Sequence, residues 1–73
     1  MVLIIKKSEN KYNVWVFEYN KELDLTYIGS FFTSEITITK DKHGNLHFFA
    51  KGDNGIHLSP KEIFLEINDE IKL

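Results

Sequence analysis

A mainly β fold is predicted by three features of this chain: alternating apolar and polar runs, aromatic residues placed on those runs, and short polar turns between them. Trp15, Phe17 and Tyr19 alternate along one segment, and Phe31-Phe32 and Phe48-Phe49 form adjacent pairs. One tryptophan, three tyrosines and six phenylalanines are many for 73 residues. β-branched and aromatic residues favour pleated, half-buried surfaces. The expected architecture is α+β: about five antiparallel strands in meander order, followed by a short C-terminal helix. An all-β small barrel is the alternative.

The first element is Val2 to Lys6, a β-branched run closed by charge, and Ser8-Glu9-Asn10 is turn-like. Tyr12 to Tyr19 follows, with Tyr12, Val14 and Val16 on one face and Trp15, Phe17 and Tyr19 on the other. These two segments form a hairpin. After Asn20-Lys21-Glu22, a third strand runs from Leu23 to about Ile28, where Gly29-Ser30 marks a bulge or bend. Phe31-Phe32 lies in or beside the next strand, in which Ile36 and Ile38 alternate with Glu35, Thr37 and Thr39. Asp41-Lys42-His43-Gly44-Asn45 is a hairpin loop with Gly44 suited to positive φ. Leu46 to Lys51 returns as the fifth strand. Gly52-Asp53-Asn54-Gly55 turns again, and Ile56-His57-Leu58 pairs briefly after it.

The C-terminal stretch carries signals for two structures. Ser59-Pro60-Lys61-Glu62 has the form of a helix start, with Ser as N-cap, Pro at the first helical position and Glu at the third. Ile63, Phe64, Ile67 and Ile71 fall on one helical face, which favours helix. Ile63, Leu65 and Ile67 also alternate as a strand would.

Size and composition narrow the function classes. Residues 1–73 make a single small domain, and chains of this size gain from oligomerisation or partner binding. With no cysteine, disulfides and thiolate metal sites are excluded. The net charge is −2, with nine lysines and no arginine, which weighs against a strongly basic nucleic-acid binder. Met1 to Ile5 is apolar but stops at Lys6-Lys7, far short of the roughly 20 residues of a membrane span. A cytoplasmic protein with no membrane association is expected.

Catalytic motifs are missing. None of the serines sits in a nucleophile-elbow pattern, the carboxylates cluster at sequence neighbours, and no Gly-rich phosphate loop occurs. His47 and His57 flank a tight turn and face each other across a hairpin, with Asp53 nearby in sequence. That spacing matches no established ligand pattern, so no metal and no cofactor are expected. The chain is therefore read as non-enzymatic.

No family resemblance is carried by specific residues: the basic aromatic motifs of cold-shock and RRM domains are missing, as is the ligand signature of SH3 modules. The expected function is a small protein-binding module, an inhibitor or accessory protein of the kind mobile elements carry, acting by steric occlusion. Its binding set is Trp15, Phe17, Tyr19, His47 and Phe49, with Glu62 and Glu66 as an acidic flank. The partner is another protein, with homodimerisation as a further route to covering the second apolar face. A single-stranded nucleic-acid-binding β domain, stacking bases on the same rings, is the alternative.

Overall fold

The computed structural model describes residues 1–51 and 55–67 and contains seven strands there: β1 (Val2–Ser8), β2 (Lys11–Tyr19), β3 (Leu25–Thr33), β4 (Glu35–Lys40), β5 (Leu46–Lys51), β6 (Ile56–Leu58) and β7 (Glu62–Ile67). They form two sheets, one of four strands in the order β3-β2-β1-β7 and one of three in the order β4-β5-β6. All neighbours are antiparallel except β1 and β7, which are parallel. The mainly β expectation with antiparallel meanders holds. No closed barrel forms among the described residues, and the strands divide between two sheets instead of forming one.

The expected C-terminal helix is not seen: Glu62–Ile67 is a strand. The capping signals at Ser59 and Pro60 are local and weak beside the free edge of β1, which gives ladder partners to the backbone groups on one side of β7. Pairing begins where the Lys61 N–H donates to the Met1 carbonyl at 2.9 Å, and the register runs from Val2 opposite Glu62 to Lys7 opposite Ile67. Ile63 and Phe64, neighbours on the expected helical face, consequently point to opposite sides of the sheet. Ile71 of that expected helix lies outside the described residues, as do Gly52, Asp53 and Asn54.

The two sheets pack face to face. From the four-stranded sheet Leu3 and Ile5 of β1 and Val14 of β2 are buried; from the three-stranded sheet Phe48 and Ala50 of β5 meet them. Val16, Phe31, Ile36, Ile38 and Leu58 pack around this cluster. Phe31 and Phe48 meet edge to face across the gap, with centroids 6.3 Å apart. Each fully buried side chain of this size contributes about 1.5–3 kcal/mol. The sheets diverge at one end, leaving a cleft of about 240 Å³ bordered by Ile5, Tyr12, Ile36 and Leu65. Leu65 is therefore 59% exposed although it stands beside Ile5 on the inner side.

One corner joins the sheets. β3 and β4 are separated by Ser34 alone, so a nearly continuous segment passes from the larger sheet to the smaller one. Thr33 is buried at that corner, and its hydroxyl lies 2.6 Å from the Lys51 carbonyl and 3.2 Å from that of Glu35. Phe31-Phe32 thus belongs to the end of β3, and Phe31 points inward while Phe32 points out.

Turn chemistry follows the sequence. Gly44 has φ of 85°, and Asp41 closes its loop through hydrogen bonds from the Gly44 and Asn45 backbone amides. In the β2–β3 turn, Asn20 Oδ1 accepts from the Glu22 and Asp24 amides, and Leu23 is forced to φ of 65°. A left-handed conformation costs a branched L-residue roughly 1–2 kcal/mol, and Asn tolerates it better. Leu23→Asn is therefore expected to raise stability by up to about 1 kcal/mol, read as an increased Tm, with the exposed side chain leaving no packing to lose.

Candidate functional site

The outer face of the four-stranded sheet has nothing laid over it among the described residues. β1 and β2 place Ile4 opposite Trp15 and Val2 opposite Phe17, all pointing away from the core. β7 adds Phe64 beside Ile4, with Glu62 and Glu66 on either side of it in the strand. Trp15 and Phe17 are half-buried by one another and by their neighbours, while Phe32, Tyr27 and Phe64 are 65%, 55% and 52% exposed.

A β-bulge keeps this face continuous. Val16 pairs with Gly29 but Phe17 pairs with Tyr27, so Ile28 is the extra residue of β3. Without it, Tyr27 and Ser30, three positions apart, would point to opposite sides. With it, the Tyr27 hydroxyl reaches Ser30 Oγ at 3.1 Å, and the Tyr27 ring packs edge to face on Phe17 with centroids 5.8 Å apart. The bend expected near Gly29-Ser30 is this bulge, one residue earlier.

Charge is arranged by position on the same face. At the β1–β2 turn end, Lys6 Nζ stands 5.7 Å from the Trp15 ring and Lys11 Nζ 5.2 Å from the Phe32 ring. Such cation–π contacts hold each ammonium beside an apolar surface instead of away from it. At the other end the Tyr19 hydroxyl donates to Glu62 Oε1 at 3.0 Å. That hydrogen bond, and then the Glu62 charge, push the Tyr19 phenol above its ordinary range. Glu66 stands 3.8 Å from Lys6, so it pairs with the basic end instead of extending an acidic flank.

Of the residues expected to form one binding set, Trp15, Phe17, Tyr19 and Glu62 come together here, with Glu66 at the margin. His47 and Phe49 do not join them: they lie on the outer face of the three-stranded sheet, which looks the opposite way. Tyr27, Phe32 and Phe64 belong to the aromatic face and were not singled out by sequence. Reading Glu62, Phe64 and Glu66 as alternate residues of a strand would have found Phe64. Tyr27 was hidden by the bulge.

On that second face the residue opposite His57 is Phe49, and His47 reaches His57 from the diagonal position instead of facing it across the hairpin as expected. His47 Nδ1 and His57 Nε2 are 3.2 Å apart, and His47 Nε2 is 3.1 Å from Asp41 Oδ2. Phe49 lies parallel to His57 with centroids 4.5 Å apart. An ionised carboxylate only accepts, so His47 carries a proton on Nε2. When His47 is neutral its Nδ1 is an acceptor, and His57 Nε2–H is then the donor between the rings.

Asp41 is itself fixed. The Asn45 amide, the His47 ring, the His43 amide and the Asn45 side chain all donate to it, and they hold its carboxyl well below the usual carboxylate range. No group of three or more His, Cys, Asp or Glu placed to hold a metal ion occurs among the described residues. Among the described residues no helix is long and apolar enough to cross a membrane. Comparison with protein-family models, with curated proteins and with solved structures gives no match.

Because the folded-state pKa of Asp41 lies below the unfolded value, the stability it contributes is present above the unfolded value, about 3.9, and is lost as pH falls through the folded one. The Tm of the protein is therefore expected to fall as pH drops below about 4. Asp41→Asn should lower the Tm at neutral pH and flatten that acid slope, as thermal melts of both proteins across pH will check.

Proposed function

We propose that this chain is a small non-enzymatic protein-binding module that docks its partner on the outer face of the four-stranded sheet. It acts as an inhibitor or accessory protein by steric occlusion, of the kind mobile elements carry against host enzymes. The supporting observation is the continuous aromatic surface of exposed Tyr27, Phe32 and Phe64 and half-buried Trp15 and Phe17, over which no other described residues are laid. Aromatic side chains ringed by polar groups are the usual energetic centre of a protein interface. Lys6 and Lys11 at one end fit a partner whose apolar patch is bordered by carboxylates at the matching edge.

One observation supports a second reading, a single-stranded nucleic-acid binder. Lysines beside exposed rings on a sheet are the arrangement that binds phosphate while bases stack. The negative net charge, the absence of arginine and the pairing of Lys6 with Glu66 weigh against it.

The test is capture from source-cell lysate by the immobilised chain, with and without nuclease. Tyr27→Ala and Phe64→Ala serve as probes and Thr37→Ala, on the other sheet, as control. All three should stay folded, since each side chain is exposed. A discrete protein that survives nuclease and binds the two aromatic variants roughly 30-fold more weakly, corresponding to about 2 kcal/mol, is the expected result. Unchanged binding by both variants contradicts the assignment of the face. Nuclease-sensitive capture selects the nucleic-acid reading, and no capture together with a dimer in light scattering selects self-association.

A further inference from the structure

We propose that His47 and His57 form a two-histidine site for a divalent transition-metal ion, zinc or copper, on the outer face of the three-stranded sheet. This goes beyond the protein-binding role and uses the opposite side of the molecule.

The two rings define the site. Their planes differ by 17° and their centroids are 5.4 Å apart. With the facing nitrogens at 3.2 Å, that separation puts the rings nearly edge to edge, joined by an in-plane N–H···N bond. The same span suits a metal. Two imidazole nitrogens on one tetrahedral zinc, each about 2.0–2.1 Å from it, stand roughly 3.3 Å apart. The ion sits beside the line joining the nitrogens, so each ring tilts to aim its lone pair at a common point. The terminal histidine torsion is broad and allows that tilt, worked against the Phe49 stack on His57.

The surroundings have the features of a ligating pair. A histidine that binds metal commonly donates its other ring N–H to a carboxylate, which fixes the tautomer and raises the ligand's basicity. Asp41 does this for His47, and three further donors hold Asp41 in place. Phe49 stacks against His57 and sets its plane. His47 is half-buried and His57 exposed, so the remaining coordination positions open to water. Affinity follows the general order in which copper exceeds zinc.

Proton bookkeeping gives the site a signature. Neutral His47 presents the Nδ1 lone pair to the metal and keeps its Nε2–H on Asp41 throughout. His57 must release Nε2 to the metal, so its proton leaves Nε2 and one is taken up at Nδ1 through solvent. Only His57 changes tautomer, and no net proton is released.

Zinc chloride titration of the full ¹⁵N-labelled chain, followed through the histidine side-chain ¹H–¹⁵N correlations, tests this. The expected result is saturation at one equivalent, with the His57 proton moving from Nε2 to Nδ1 and His47 keeping Nε2–H. His57→Phe retains a ring on Phe49 and should abolish the response, and Asp41→Asn should weaken it 10–100-fold. A His47 that changes tautomer, an undiminished response in His57→Phe, or no response at millimolar zinc each overturns the proposal.

Discussion

The structure depends on β1 being paired along both edges. Its residues from Val2 to Lys7 face β2 on one side and β7 on the other, so neither edge of its backbone is left without a ladder partner. Val2, Leu3 and Ile5 have no exposed surface at all. β7 can reach β1 only after the chain has crossed the corner at Ser34 and run through β4, β5 and β6. The return to β1 therefore fixes where the three-stranded sheet lies, and places Phe48 and Ala50 over Leu3, Ile5 and Val14. For so short a chain this arrangement draws a core from both sheets without disulfides.

The same constraint leaves one face of the larger sheet uncovered by the described residues. The second sheet shields only the inner side, while β1, β2 and β7 carry apolar residues on both. Ile28, as a bulge, then turns Tyr27 onto the open side beside Phe17. The rings lie against one another and against lysine stems, which lowers the cost of their exposure to water without removing it. The proposed docking role rests on this open aromatic face.

Much of this was legible in the sequence. A β-branched run located β1, alternation located β2, β4 and β5, and Gly44 marked its turn because positive φ there has a local cause. The nearness of His47 and His57 followed from their places beside one turn, but the register puts Phe49 opposite His57 and His47 on the diagonal. The C-terminal segment was misread for a physical reason: helix caps act locally, whereas the attraction of β7 to β1 spans some sixty residues of sequence separation. Local patterning has no access to an unpaired edge elsewhere in the fold. The splitting of the strands into two sheets was hidden likewise, since the corner depends on Thr33 reaching the Lys51 carbonyl. His47 and Phe49 were grouped with Trp15 because composition does not report which way a sheet faces.

The most direct measurement of the central claim is amide hydrogen exchange along β1. Successive amides of a strand point alternately to its two neighbours. If β7 lies beside β1, Leu3, Ile4, Ile5 and Lys6 should all be protected, every one exchanging far more slowly than a free amide. If every second of these amides exchanges like a free one, β1 has only one partner, and the account of the fold, with the open face built upon it, is wrong.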